Sequence, residues 1–72
     1  KFILEVETSD SITKEEAEGQ WKKYATEIEA TFYLVVPAET LQKTQFLCQQ
    51  VGINTRFVTY IIQENNVIFN FN

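Results

Sequence analysis

Residues 2–8, Phe-Ile-Leu-Glu-Val-Glu-Thr, set Phe2, Leu4 and Val6 against Ile3, Glu5 and Glu7. This period of two is the signature of a strand with one buried face, and it places Glu5 and Glu7 together on one side. Ser9-Asp10-Ser11 then supplies a turn, and Thr13-Lys14-Glu15-Glu16 has capping-box spacing: the Thr13 hydroxyl accepts from the Glu16 amide while the Glu16 side chain reaches back. A helix is expected from here to about Glu29, its apolar stripe formed by Ala17, Trp21, Tyr24, Ala25 and Ile28 at steps of three and four.

Thr31-Phe32-Tyr33-Leu34-Val35-Val36 is a continuous apolar and β-branched run ending at Pro37. It predicts a central strand buried on both faces. From Ala38 to Val51 the positions Leu41, Phe46, Leu47, Cys48 and Val51 predict a second helix, with Gly52 placed for a left-handed C-cap. Residues 57–62 form a third strand, and Gln63-Glu64-Asn65-Asn66 turns it into the alternating run 67–71 as a hairpin. The expected order is β-α-β-α-β-β. Strand–helix–strand units impose right-handed crossovers, so the fold class is α/β, a partly parallel mixed sheet flanked by two helices with an antiparallel edge.

Length admits one small domain of 72 residues, and a composition of 44% apolar and 14% aromatic residues is that of a globular chain. The sequence holds one cysteine, Cys48, and no histidine. Internal disulfides, zinc fingers, Cys/His pairs and Ser-His-Asp triads built from this chain are therefore excluded, and carboxylates are the remaining metal ligands. No apolar stretch approaches the roughly 18 residues of a membrane span. The expectation is a soluble, cytoplasmic domain in a reducing interior, with no membrane partner. The chain has no methionine and opens directly on Phe2-Ile3-Leu4, so it is expected to be a piece of a longer domain, missing its beginning.

The sharpest candidate chemistry is Glu5-Val6-Glu7. Two carboxylates two residues apart on a strand project to one face, near enough to share a divalent cation, and the Val6 carbonyl is a candidate third oxygen. Such hard ligands suit Mg²⁺ or Mn²⁺, ions that activate water against a phosphodiester. An exposed sheet face carrying alternate glutamates is the plainer alternative. On the following helix Gln20 and Tyr24 lie one turn apart and are candidates for lining the same site, while Lys22 and Lys23 offer cations to a nucleic-acid backbone. Against this, Tyr24 reads first as core beside Trp21, and Gln20 as a solvent-facing residue. Cys48 reads as a small core residue. Phe57, Phe69 and Phe71 read as core first and as a base-stacking platform second.

Taken together, a strand bearing Glu-x-Glu, a polar turn, a helix bearing Gln-x-x-x-Tyr and a buried apolar strand resemble the second half of the PD-(D/E)xK nuclease core, its RecB-like branch above all. The matched stretch covers roughly residues 2–37. The resemblance implies a restriction-endonuclease-like half core in which Glu5 takes the position of the metal-binding acid, Glu7 that of the lysine, and Gln20 with Tyr24 the helical motif. It also implies Mg²⁺ or Mn²⁺ as cofactor and DNA as partner of the complete protein. Two departures stand out: Glu7 replaces the usual lysine, and the earlier aspartate of the family would lie upstream of Lys1.

The leading expectation is thus metal-dependent phosphodiester hydrolysis by the complete protein, the fragment alone being inactive. The net charge of −4, with only six basic residues, lacks the electrostatic footprint of an autonomous DNA binder. The alternative is a non-catalytic interaction or assembly module of the same fold, associating through the edge hairpin or an apolar sheet face, as in a homodimer.

Overall fold

The computed structural model describes residues 1–27 and 29–71. Its elements are β1 (Phe2–Val6), a 3₁₀ turn at Ser9–Ser11, helix α1 (14–25), β2 (Thr31–Pro37), a 3₁₀ turn at Ala38–Thr40 running into α2 (Leu41–Val51), β3 (Arg56–Gln63) and β4 (Asn66–Phe71). The expected α/β order is the one observed. Four strands form one sheet in the order β1-β2-β3-β4. The β1/β2 and β2/β3 pairs are parallel and the β3/β4 pair is antiparallel.

Local chemistry explains the boundaries. Thr13 caps α1 by accepting the Glu16 N–H at 3.1 Å. The helix is not uniform: Ala17–Trp21 is a π-helical turn set between the α-helical turns Lys14–Glu16 and Lys22–Ala25. It stops at Ala25, short of the expected Glu29, where the Thr26 hydroxyl donates to the Lys23 carbonyl at 3.0 Å and competes for the helix-end acceptors. Ile28, expected on the apolar stripe, lies outside the described residues. Gly52 ends α2 at φ +73°, the left-handed cap its position predicted.

Two right-handed crossovers that move the same way across a sheet deliver both helices to the same face. Accordingly Ala17 and Trp21 of α1 and Leu47 and Cys48 of α2 share one core with Phe32, Leu34 and Val36 of β2. Ile3 and Phe57 border that core from β1 and β3. The short dimension of the chain, 16 Å, is that of one sheet and one helical layer.

This corrects three expectations. First, β2 is not covered by helices on both faces: Val35 is buried only by its strand neighbours and Tyr33 is half-buried. Second, the covered side of β1 is that of Ile3, Glu5 and Glu7, while Phe2, Leu4 and Val6 are 69%, 58% and 66% exposed on the other. Third, Phe69 and Phe71 are not core; they are exposed on the helix-free face, and only Phe57 packs toward the helices. The physical reason is shared, since nothing among the described residues forms a second helical layer.

The hairpin closes through Glu64 and Asn65 at φ +51° and +68°. This is the conformation of a two-residue type I′ turn, which favours Asn-Gly. Replacing the pair by Glu64→Asn with Asn65→Gly should therefore stabilise the chain by about 1 kcal/mol, a rise in Tm of roughly 5 °C by circular dichroism.

Candidate functional site

Glu5 and Glu7 leave β1 on its helix-covered face, where the start of α1 passes over them. Oxygens of Glu5, Glu7 and Glu16 lie within 4.8 Å of one another. Glu16 comes from the third position of α1, the residue that sequence spacing assigned to the capping box. Half of that box forms, because Thr13 accepts the Glu16 amide. Among the described residues, no hydrogen bond returns from the Glu16 carboxylate to Thr13; it turns to the acidic cluster instead.

Glu7 is the fixed member, 2% exposed. The Ser11 hydroxyl donates to its Oε1 at 2.6 Å and the Trp21 indole N–H to its Oε2 at 3.3 Å. Its backbone is held as well, since the N–H donates to the Val35 carbonyl at 2.9 Å and the carbonyl accepts from the Tyr60 hydroxyl at 2.7 Å. A buried carboxylate needs such donors, each worth about 1.5–3 kcal/mol when the acceptor is charged. Trp21 is itself fully buried and belongs to the π-helical turn, where the widened backbone sets the indole beside Glu7. Turns of this kind recur at functional sites.

Electrostatics show what the cluster lacks. Among the described residues the ion pair is Lys14 with Glu18, 3.8 Å apart and exposed; no cation pairs with Glu5, Glu7 or Glu16. Partial burial, then the neighbouring Glu7 charge, a hydrogen bond shared with Glu7 and the charge of Glu16 push the Glu5 carboxyl above its ordinary value of 4.5. Glu16 is raised by burial first, then by the Glu7 charge and a hydrogen bond with Glu7. Excess negative charge at this spot is therefore relieved by protons or by a cation. Three carboxylates form a hard-oxygen set of the kind Mg²⁺ or Mn²⁺ takes.

The other candidates fall elsewhere. In β1 the Lys1 carbonyl accepts from the Thr31 N–H and the Glu7 N–H donates to Val35, so odd-numbered residues bond across to β2. The Val6 carbonyl accordingly points off the outer edge of the sheet, while the carboxylates stand on its covered face, and Glu16 supplies the third oxygen in its place. Gln20 is exposed and Tyr24 half-buried; Tyr24 packs on Phe32 with ring centroids 5.8 Å apart. The inward position of this turn belongs to the fully buried Trp21, while Gln20 faces solvent and Tyr24 packs toward the core, so neither lines the acidic cluster. Lys22 and Lys23 are exposed on the outer side of α1. Cys48 is buried, and burial pushes its thiol up to about 11, which makes it an inert core residue. Sequence reasoning missed Ser11, Glu16 and Trp21. The signals were a serine four residues after Glu7 and the only tryptophan on the helix that follows.

Two outcomes test this geometry. Ser11→Ala removes a short charge-assisted bond to a buried carboxylate and should cost about 2 kcal/mol in denaturant unfolding, more than Ser9→Ala on the same turn. Because Glu5 and Glu16 have raised folded-state values, the stability they contribute is fully present below the unfolded value, 4.5, and is lost as pH rises through the folded values. The Tm measured without divalent cations should therefore fall from mildly acid to neutral pH, and Glu5→Gln should flatten that fall. The chain matches no family model, no curated protein and no solved structure.

Proposed function

We propose that this chain is the second half of a PD-(D/E)xK nuclease-like core, and that its acidic cluster is the metal-holding part of a site for phosphodiester hydrolysis of DNA by the complete protein. The observation that carries the reading is the convergence of Glu5, Glu7 and Glu16 within 4.8 Å, on the strand and helix bearing the Glu-x-Glu and Gln-x-x-x-Tyr spacing, with no pairing cation among the described residues. Bound Mg²⁺ or Mn²⁺ supplies activation of water and neutralisation of phosphate charge. Glu5, Glu7 and Glu16 hold it, and Ser11 and Trp21 orient Glu7 through their hydrogen bonds. Gln20, Lys22 and Lys23 lie on the exposed side of α1, where they meet a nucleic-acid backbone, and Tyr24 supports the helix from the core. Cys48 remains a buried thiol, in keeping with a cytoplasmic setting.

A second reading is favoured by a different observation. The helix-free face of the sheet is largely apolar, with Phe2, Ile62 and Phe71 each about 70% exposed. That suits a non-catalytic module that associates through the hairpin or the sheet face, with the cluster serving only to lock β1 to α1. Among the described residues, no helix is long and apolar enough to cross a membrane.

Titration with Mn²⁺ separates the two. On the nuclease reading, amide signals of Glu5, Glu7 and Glu16 broaden together, and Glu5→Gln abolishes the effect. Mg²⁺ at ten times its Kd should then add about 1.4 kcal/mol to the unfolding free energy at neutral pH. Broadening scattered over all acidic residues leaves the association reading.

A further inference from the structure

We infer that the helix-free face of the sheet is an interface between two copies of this chain, packed sheet against sheet. The inference deepens the association reading and rests on it, independently of the acidic cluster.

Register places one side chain from each alternate position of all four strands on this face: Phe2, Leu4 and Val6 of β1 lie beside Tyr33 and Val35 of β2, followed by Val58, Tyr60 and Ile62 of β3 and then Phe69 and Phe71 of β4. The face is thus continuous from one sheet edge to the other. Its size decides what it is. At about 200 Å² for a fully exposed aromatic side chain, Phe2, Phe69 and Phe71 present about 400 Å² between them. Leu4, Val6 and Ile62, each more than half exposed, bring the apolar total to on the order of 700 Å². This exceeds the roughly 300–600 Å² of the largest patch on a typical monomer and approaches the roughly 800 Å² per partner of a standard interface.

The shape of the face is suited to a copy of itself. Phe2, Leu4, Tyr33, Val58 and Phe71 line a hollow of about 250 Å³, while Phe69 stands at its side, tilted against Tyr60 with centroids 6.3 Å apart. A two-fold axis brings the ring of one copy to the hollow of the other, the reciprocal contact an isologous dimer requires. Charge does not oppose it: of the strand positions on this face only Arg56 is charged, so the acidic excess lies elsewhere and two copies meet without stacking like charges. Two sheets packed in this way stand about 10 Å apart, as in a β-sandwich, and supply each other with the second layer.

Sedimentation of the chain at about 100 µM should give twice its mass of 8.4 kDa, since the weak end of what such an area supports is a micromolar Kd. Leu4→Lys and Ile62→Lys, both on the face and neither on the edge strand β4, should each shift the population to monomer with the circular dichroism spectrum of the fold retained. Ile68→Lys, on the opposite side of β4, should leave the dimer intact. A dimer that survives both face variants and is lost in Ile68→Lys assigns association to the hairpin edge, overturning this inference while the association reading stands. A wild-type monomer at that concentration overturns this inference; if the monomer then binds a foreign protein and Leu4→Lys abolishes that binding, the association reading stands, and a monomer that binds none overturns both.

Discussion

The handedness of the strand–helix–strand crossover governs nearly everything distinctive about this chain. A right-twisted strand followed by a helix packs back onto the sheet one way. With β1, β2 and β3 laid side by side in chain order, both crossovers land on one face. That single constraint places α1 over Glu5 and Glu7 and leaves the Phe2, Leu4 and Val6 side of β1 bare. Were β3 to lie on the other side of β1, the helices would divide between the faces and the aromatic side would be covered.

Burial of Glu7 under α1 is the costly consequence, and the fold meets it locally. Ser11, four residues on, and Trp21, fourteen residues on, give each carboxylate oxygen a donor. The 3₁₀ turn at Ser9–Ser11 and the π-helical turn at Ala17–Trp21 are the backbone adjustments that bring those donors in. Two departures from regular structure within thirteen residues serve one side chain. The cluster is then left with carboxylates of raised proton affinity at Glu5 and Glu16, a condition that either a proton or a divalent cation relieves. Glu7 is held by its two donors, while Glu5 and Glu16 are half-buried.

The apolar face and the acidic cluster are opposite sides of the same strand. Glu5 and Glu7 alternate with Leu4 and Val6, so a register slip of one residue would exchange them, putting carboxylates on the open face and aliphatic side chains under α1. The Trp21 bond to Glu7 and the Tyr60 bond to the Glu7 carbonyl oppose such a slip from both sides of the sheet. Polar burial in this chain therefore specifies register.

Periodicity and capping chemistry were enough to read the element order, the central position of β2, the Thr13 cap, the Gly52 cap and the hairpin turn, because each depends on residues within a few positions of one another. The pairing of Glu5 with Glu7 was legible for the same reason. The sequence could not say which face of β1 is covered: both of its faces carry apolar side chains, and the choice is made by where β2 and β3 place the crossovers. Nor could it bring in Glu16, Ser11 and Trp21, whose local spacing serves a cap, a turn and an apolar stripe equally well, or show that Trp21, not Gln20 or Tyr24, turns toward the carboxylates. Those decisions belong to the tertiary structure, since they follow from which surfaces meet once a helix is laid over a sheet, and contacts between distant segments leave no local trace in the chain.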